Sequence, residues 1–226
     1  MCAKKEKGGS RVSIRCTHMI VAIDGPAGAG KSTVAKIVAE KLHCTYIDTG
    51  AMYRAVALKV LESGKSVEEV VEDIDIRLDE AGKVFLDGRE VTKEIRTPEV
   101  SRGASDVAKF GFVRKKLTQL QREMATQGSV IMDGRDIGTQ VLPNADLKIF
   151  LTATVEERAR RRFEELKAKN FSADFEQIKK EISLRDKQDS EREIAPLAQA
   201  EDAVLLDSTN LTIEQVVTEI LRLAKA

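Results

Sequence analysis

The sequence predicts an α/β fold in which a five-stranded parallel sheet is flanked by helices. Two patterns in the 226 residues support this prediction. Short apolar runs alternate with segments of helical periodicity, and such repeats form parallel strands joined by right-handed crossovers. A glycine-rich loop follows the first apolar run and opens a helix, and ligands of open α/β sheets bind at such strand ends. The sequence therefore predicts a domain whose ligand site lies at the carboxyl edge of the sheet.

Five apolar runs are predicted as the strands of this sheet. They are residues 20–24, 45–48, 129–133, 146–151 and 203–207. Helical periodicity and capping patterns predict the helices between them. The helices are 33–42, 51–63, one after the Ser66-x-x-Glu69 box, one after Thr97-Pro98, 113–125, one from the Thr154-x-x-Glu157 box to about Lys169, and a last one after Thr212-x-x-Gln215. The apolar stripe of the last helix consists of Ile213, Val216, Val217, Ile220 and Leu221.

Two segments depart from this pattern. Between residues 75 and 91, apolar and charged residues alternate, and turn signals at 80–83 and 87–88 interrupt them. A small antiparallel β insertion with one hydrophobic face is therefore predicted. The segment 171–196 is highly charged and breaks from the core pattern, so it is predicted to form a mobile flap.

The composition limits the classes of function. Lysine plus arginine and aspartate plus glutamate both total 37, and this zero net charge argues against a general nucleic-acid binder. No apolar stretch approaches the length needed to cross a membrane. Cys2, Cys16 and Cys44 are unevenly spaced, which indicates a reduced compartment and a cytoplasmic protein. No apolar stripe is left over once the core is assigned, so a monomer is expected.

Residues 1–18 are polar and basic and contain no apolar segment long enough for a signal peptide. Three interpretations stay open: a flexible extension, a vector-derived leader, or an upstream start before Met19. A basic arm that binds nucleic acid is a weaker alternative for so short a run.

The glycine-rich loop has the phosphate-binding pattern G-x-x-x-x-G-K-[ST] between a strand and a helix. Its residues are Gly25, Pro26, Ala27, Gly28, Ala29, Gly30, Lys31 and Ser32, with Thr33 opening the helix. Glycines allow the backbone to wrap around an anion, and amides of the first helical turn point at it. Lys31 is predicted to place a mobile positive charge at the β- and γ-phosphates of a nucleotide, and Ser32 is a predicted Mg²⁺ ligand. Asp133 ends an apolar strand, so it is the predicted acidic residue on the metal side, with a helix or turn cap as the alternative.

Four arginines, Arg54, Arg135, Arg185 and Arg192, lie near strand ends or flank the charged segment. Their planar guanidinium groups suit bidentate contacts with a second phosphate, although each one taken alone resembles an ordinary surface arginine. A phosphate acceptor is already ionised at neutral pH because its second pKa is about 6. Catalysis then requires positioning and charge neutralisation. Asp136 is a candidate for reading cytosine, because a carboxylate accepts from the exocyclic amine of that base.

Basic residues are densest between positions 157 and 162, where Arg158, Arg161 and Arg162 share one helix face. Two interpretations stay open. In the first, Arg158 and Arg162 approach the donor phosphates when the flap closes. In the second, the run is a solvated face paired with Glu164 and Glu165.

Several short segments of the chain occur in an order that is typical of one family. They are residues 23–27, 48–54, 94–97, 133–139, 185–192, 195–197 and 207–209. On these segments the sequence from Met19 onward resembles the bacterial cytidylate kinases, which are nucleoside monophosphate kinases with a P-loop kinase core. The resemblance implies in-line transfer of the γ-phosphoryl group of ATP to CMP or dCMP with Mg²⁺.

The resemblance also implies a set of site residues. The CMP phosphate would be held or flanked by Thr49, Arg54, Arg135, Arg185 and Arg192, and the catalytic residues would be Lys31, Arg135 and Arg185. The cytosine edge would be read by Ser105, Arg114 and Asp136, and the ribose by Asp189. Family members often carry serine where Thr49 stands, and the hydroxyl is kept.

A division of the chain follows from the same resemblance. The core would comprise residues 19–50, 129–169 and 193–226, and the monophosphate-binding region residues 51–128, including the β insertion. Residues 170–192 would form a lid whose closure excludes water and suppresses ATP hydrolysis.

Other classes of protein lack their signatures here. A thymidylate kinase would carry an Asp-Arg-Tyr/His segment, a shikimate kinase Asp-x-Asp after the second strand, and a GTP-binding switch Asn-Lys-x-Asp. None of the three occurs. An RNA-binding module is disfavoured by the zero net charge and by an aromatic content of 4% without tryptophan. The expected partners are therefore ATP and CMP or dCMP, with neither nucleic acid nor membrane.

Overall fold

The computed structural model describes residues 18–79 and 81–225. The predicted extension lies outside the described residues except for His18, as does Glu80 of the predicted turn. The strands are β1 (Ile20–Asp24), β2 (Thr45–Asp48), β3 (Ile76–Leu78), β4 (Val84–Leu86), β5 (Arg89–Glu90), β6 (Val130–Gly134), β7 (Leu147–Thr152) and β8 (Val204–Asp207). The helices are α1 (Lys31–Leu42), α2 (Thr49–Ser63), α3 (Val67–Glu72), α4 (Pro98–Val107), α5 (Gly111–Ala125), α6 (Val155–Ala168), α7 (Phe175–Glu191) and α8 (Ile213–Leu223). A 3₁₀ turn covers Glu94–Arg96 and a π-helical turn covers Ile137–Val141.

Five strands form a parallel sheet in the order β2-β6-β1-β7-β8, which confirms the predicted sheet. In the register of this sheet, Asp133 of β6 pairs with Asp48 of β2 on one side and with Ile23 of β1 on the other. Parallel strands end at the same edge, so the last residues of β1, β2 and β6 meet there although they are distant in sequence.

Helices cover both faces of the sheet. Val21 and Ile23 of β1 pack in one buried cluster with residues of α1 and α8. Ala22, between them, belongs to a cluster on the opposite face that contains Met132 of β6 and Ala125 of α5. Strands buried on both faces have nearly continuous apolar sequences, which explains why the apolar runs identified them.

The insertion between α3 and α4 is a three-stranded antiparallel sheet in the order β3-β4-β5, as predicted. Ile76, Val84 and Leu86 are buried in the same cluster as Met52 and Val56 of α2. The insertion therefore adds its hydrophobic face to a second core, which α2, α4 and α5 share.

Three helices begin two residues before their predicted starts, and the one predicted from residue 113 begins at Gly111. The helix predicted from Thr33 begins at Lys31, because Gly30 turns the chain with a φ of 88°. The helix predicted from Ala51 begins at Thr49, because the Asp48 carboxylate accepts the N–H of Ala51 at 2.8 Å. The capping boxes predicted at Ser66 and Thr212 are both present.

The capping box predicted at Thr154 is only half formed. Its hydroxyl accepts the N–H of Glu157 at 3.3 Å, but the Glu157 carboxylate accepts from Arg160 and Arg161 on the next turn. The N–H of Thr154 donates instead to Thr209 Oγ1 at 3.0 Å. Charged donors on the same helix thus replace the neutral backbone donor of the box.

The charged segment that was predicted as a flap forms α7, which packs against α6. Ile178 and Ile182 join Leu166 in a small buried cluster, and the rings of Phe163 and Phe175 meet edge to face at 6.0 Å. In α8, Val216, Val217 and Ile220 of the predicted stripe are buried, but Ile213 is 50% exposed. Within the described ranges, none of the helices is long and apolar enough to span a membrane.

Candidate active site

The phosphate-binding loop connects β1 to α1 at the carboxyl edge of the sheet. Gly25 has a φ of 147°, and a Cβ atom there would lie 1.9 Å from the carbonyl oxygen of Leu151. No side chain fits at this position. The first N–H groups of α1 lack acceptors within the helix, so they are available to an anion held by the loop.

Lys31 is buried at the start of α1, where Nζ donates to the carbonyl oxygen of Pro26 at 2.7 Å. Burial lowers the pKa of Lys31 well below its ordinary value, and Arg135 lowers it further, while Asp133 and Asp24 oppose this shift. Among the described residues, the hydrogen-bond acceptor of this ammonium group is a neutral carbonyl, and burial outweighs the two carboxylates. The phosphates of a nucleotide would supply further negative charge.

Asp133 lies at the end of β6, and both of its carboxylate oxygens accept hydrogen bonds. Ser32 Oγ donates to Oδ2 at 2.9 Å, and Tyr46 Oη donates to Oδ1 at 2.8 Å. Burial raises the pKa of Asp133, and the nearby Asp48 carboxylate raises it further. The two residues predicted on the metal side are therefore in contact. Their hard oxygens fit Mg²⁺, which binds through one or two carboxylates together with substrate phosphates.

Asp48 lies at the end of β2 and binds two arginines. Arg54 Nη2 lies 3.1 and 3.2 Å from its two oxygens, and Arg96 Nη2 lies 2.8 Å from Oδ2. Burial acts to raise the pKa of Asp48, but the two guanidinium groups outweigh it and lower that pKa. Thr49, the next residue, donates its hydroxyl proton to the backbone carbonyl of Asp133 at 2.7 Å. Its hydroxyl is thus engaged in holding β6 to α2.

Asp189 of α7 connects two more of the predicted arginines. Arg135 Nε donates to Oδ2 at 2.8 Å, and Arg192 Nη1 approaches Oδ1 at 3.5 Å. Arg185 lies one turn earlier on α7, and burial together with the charge of Arg135 lowers its pKa to about 10. The charge of Arg54 acts in the same direction. The four arginines that were predicted to bind a phosphate therefore gather in one place.

We call Arg54, Arg135, Arg185 and Arg192 the arginine cluster. Three of its nitrogen atoms are buried without an acceptor among the described residues: Arg54 Nε, Arg185 Nε and Arg192 Nη2. Buried donors are almost always paired, and each unpaired one costs about 1–3 kcal/mol. Unpaired guanidinium donors of this kind favour the binding of an anion.

Arg114 of α5 and Asp136 form a buried ion pair in which Nη2 donates to Oδ2. The Arg114 guanidinium lies 5.5 Å from the ring centroid of Tyr53. Arg114 is also near enough to the arginine cluster to lower the pKa of Arg192, after burial the largest effect on that group. Ser105 is half-buried on α4, and no hydrogen bond within the described part of the chain joins it to this pair.

Arg158 of α6 is buried, and all three of its nitrogens have acceptors within the protein. Nε donates to Ala153 O at 2.9 Å, Nη1 to Ala27 O at 3.0 Å, and Nη2 to Asp186 Oδ2 at 2.6 Å. Arg158 therefore connects the phosphate-binding loop to α7. Arg162 pairs with Glu165 at 2.8 Å, as the solvated interpretation expects. Direct contact of either arginine with ATP stays a prediction.

Sequence reasoning assigned no role to Tyr46, Arg96 or Asp186. Tyr46 and Asp48 are two residues apart on β2, so they face the same side, and this spacing was the one available signal. Arg96 reaches Asp48 across 48 residues of sequence, and Asp186 reaches Arg158 across 28. No local sequence pattern predicts contacts between residues so far apart in the chain.

A phosphate-binding loop, an adjoining hydroxyl–carboxylate pair and a facing arginine cluster define a P-loop kinase. Comparison with known proteins identifies the family. The sequence profile of the family described as cytidylate kinase matches residues 21–226. The chain belongs to the cytidylate kinase family, which confirms the resemblance inferred from its segments.

Curated relatives agree with this assignment. The cytidylate kinase of Caldicellulosiruptor bescii is 56% identical over 212 residues, which cover 90% of this chain and 94% of the relative. The cytidylate kinase of Carboxydothermus hydrogenoformans is 52% identical over 214 residues, covering 91% and 96%. Among solved structures, an uncharacterized protein from Eubacterium ventriosum aligns with a TM-score of 0.52 at 12% identity, over 92% of this chain and 99% of that one. This last likeness concerns the fold alone.

Proposed function

We propose that the protein transfers the γ-phosphoryl group of ATP to CMP and dCMP by in-line displacement, with Mg²⁺ beside the donor phosphates. The acceptor class comes from the family and its cytidylate kinase relatives. The observation that carries the proposal is the arginine cluster with its three unpartnered donors. The charges of Arg135 and Arg185 act on Lys31, so the cluster lies beside the phosphate-binding loop. A nucleoside monophosphate presents the anionic oxygens that these donors lack.

On the donor side, we assign the β- and γ-phosphates of ATP to the loop backbone of residues 25–33 and to Lys31. In the structure, Lys31 Nζ binds Pro26 O and Ser32 Oγ binds Asp133, and both bonds can be exchanged when a nucleotide arrives. Ser32 and Asp133 would hold Mg²⁺, which neutralises charge on the phosphates when bound. Arg158 fixes the loop backbone at Ala27.

On the acceptor side, an ionised oxygen of the CMP phosphate attacks the γ-phosphorus. The bond between the γ-phosphorus and the bridging oxygen breaks, and ADP leaves with that electron pair. No base is needed, because the second pKa of the acceptor phosphate is about 6. Arg135 and Arg185 would neutralise the transferring group and, together with Arg54 and Arg192, would hold the acceptor phosphate.

The same proposal assigns the regions of the chain. Residues 19–50, 129–169 and 193–226 form the core, 51–128 the monophosphate-binding region and 170–192 the lid. Support for the lid comes from α7, which carries Arg185 and Asp189 of the acceptor side and Asp186, the partner of Arg158. A movement of α7 would therefore act on both phosphate sites together.

Base recognition is assigned to the pair Arg114 and Asp136, with Ser105 and the ribose contact of Asp189 as further members. This buried ion pair lies next to Arg192 of the arginine cluster, on the acceptor side of the site. Cytosine presents an amine and a ring acceptor side by side, and a carboxylate beside a guanidinium complements them.

A coupled assay of ADP release tests the proposal with Mg-ATP and a panel of acceptors. The panel contains CMP, dCMP, UMP, AMP, GMP, dTMP and shikimate. We expect turnover with CMP and dCMP to exceed that with every other acceptor. A preference for another monophosphate would overturn the assignment of cytosine, and no turnover with any acceptor would contradict phosphoryl transfer.

Asp136→Asn is expected to lower kcat/KM for CMP by about 10- to 100-fold, the range of one good base contact. The amide keeps the volume and a partner for Arg114, but it presents a donor to the amine of cytosine. The loss with UMP should be much smaller, because uracil presents an acceptor at that position. Steady-state kinetics with both acceptors check this result, and equal losses would remove Asp136 from base recognition.

A further inference from the structure

Asp24 is the last residue of β1, and its carboxylate is buried beside the phosphate-binding loop. Oδ1 accepts the N–H of Ile137 at 2.8 Å, and Oδ2 accepts the N–H of Gly138 at 2.7 Å. These are the first two amides of the π-helical turn Ile137–Val141. Asp24 therefore caps the start of a turn that lies 113 residues away in sequence.

The residue in the N-cap position of this turn is Asp136. An aspartate at such a position ordinarily accepts a backbone N–H from the first turn with its own side chain. Asp136 makes no such bond, and its carboxylate accepts from Arg114 instead. The two aspartates therefore differ in what their side chains bind. Asp24 caps the turn, whereas Asp136 points away from the turn and binds Arg114.

The surroundings of Asp24 are tightly packed, and they make ionisation of its carboxyl group unfavourable. Burial raises the pKa of Asp24 to about 6, against the two backbone hydrogen bonds, and the like charge of Asp136 adds to the rise. The turn closes directly on the carboxylate, since a Cβ at Gly138 would lie 3.4 Å from Asp24 Oδ2 and 3.1 Å from Lys148 Cδ. Within the described ranges, the hydrogen bonds of this buried carboxylate come from backbone amides, so the main effect of Asp24 on its surroundings is to fix the geometry of the turn.

We propose that Asp24 is a positioning residue for base recognition: by capping the turn Ile137–Val141, it frees the Asp136 carboxylate to read the acceptor base. The proposal rests on the role of Asp136 in the proposed function. Because Gly25 follows Asp24 directly, the same residue holds the base-reading turn in register with the phosphate-binding loop. If one accepting oxygen of Asp24 is lost, Asp136 is expected to rotate onto the amides of its own turn and leave the base.

Asp24→Asn tests this proposal, because it keeps the volume but turns one accepting oxygen into a donor. We expect KM for CMP to rise about tenfold, the equivalent of about 1.4 kcal/mol, and the preference for CMP over UMP to fall by the same factor. The preference compares two acceptors on the same variant, so any effect of Asp24 on Lys31 cancels in it. The matched control is Asp146→Asn, since Asp146 accepts the N–H of Ile20 at 2.7 Å at the opposite end of β1. The control should leave the preference unchanged, and equal rises in KM for CMP and UMP with Asp24→Asn would overturn the positioning role.

The combination with Asp136→Asn separates this proposal from the proposed function. If Asp24 acts through Asp136, adding Asp24→Asn to the Asp136→Asn variant should change the preference by less than about twofold. A further tenfold loss in the double variant would overturn the inference. If the single variant Asp136→Asn keeps the preference for CMP over UMP, the assignment of base reading to Asp136 is wrong. If Asp136→Asn loses this preference but Asp24→Asn keeps it, only the positioning role of Asp24 is wrong. Thermal unfolding of each variant monitors folding, and Asp24→Ser, which keeps one accepting oxygen, is measured in the same way if Asp24→Asn does not fold.

Discussion

Replacement of Lys31 by alanine is expected to lower kcat by at least about 10³-fold, the effect of removing one cation from a transferring phosphoryl group. Lys31 is buried at the phosphate-binding loop and donates to Pro26 O at 2.7 Å, so its ammonium group is already placed at the expected position of the donor phosphates. The assay of ADP release with Mg-ATP and CMP measures the effect. Lys36→Ala, an exposed lysine on the same helix, is the matched control and should retain turnover. Near-normal turnover of Lys31→Ala would contradict the assignment of the loop.

The same variant is expected to unfold at a temperature no lower than that of the wild type. Burial lowers the pKa of Lys31 in the folded protein, so the folded state binds fewer protons than the unfolded state between the two pKa values. Stability therefore rises with pH across that window, and the unfavourable effect of Lys31 is fully present below its folded pKa. Thermal unfolding at neutral pH tests this sign. A clearly lower unfolding temperature of Lys31→Ala would contradict the expected sign. The loss of turnover could then result from unfolding of the variant.

The sheet and its loop could be predicted because their signals are local. Strands buried on both faces are continuous apolar runs, and the loop pattern stands between such a run and a helix. Topology then placed Asp48 and Asp133 at one edge without further information, since parallel strands end together. The insertion was predicted from alternation alone, and its pairing of Ile76 with Leu86 follows that alternation.

The remaining part of the site depends on contacts that are distant in sequence. Tyr46 binds Asp133 across 87 residues, and Asp24 caps a π-helical turn that no sequence pattern announced. A tyrosine on a strand and an aspartate before a loop have ordinary structural roles in most sequences. Only the register of the sheet brings their side chains to the groups that they bind.

Arg158 illustrates a different limit. Helical spacing placed it correctly on the face that carries Arg161 and Arg162, but spacing does not show which of the three is buried. The structure shows that Arg158 reaches Ala27 O and Asp186, whereas Arg162 reaches Glu165. A guanidinium group can donate to carbonyl and carboxylate oxygens as well as to phosphates. An arginine on this face can therefore hold the loop backbone in place without contacting ATP.

Arg185→Ala is expected to lower kcat/KM for CMP by about 10²- to 10³-fold, the effect of removing one preorganised donor to a transition state. Arg185 Nε is buried without an acceptor in the described part of the chain. Burial and the charge of Arg135 lower the pKa of Arg185 to about 10, so the group stays charged at neutral pH but is poorly compensated. An acceptor phosphate supplies both the missing acceptor and the missing charge. Steady-state kinetics with CMP measure the loss, and Lys187→Ala, an exposed lysine on the same helix, is the control.

Ligand-induced stabilisation distinguishes this role from that of an ordinary surface arginine. CMP should raise the unfolding temperature of the wild type, and this rise should shrink in Arg185→Ala because the variant loses affinity for the acceptor. Without CMP, the variant should be at least as stable as the wild type, since removing one of several crowded cations relieves their repulsion. A solvated arginine with no part in phosphate binding would leave both the kinetics and the CMP-dependent rise unchanged. That outcome would mean that Arg185 has no role in phosphate binding, and Arg54, Arg135 and Arg192 would remain as the candidates that bind the acceptor phosphate.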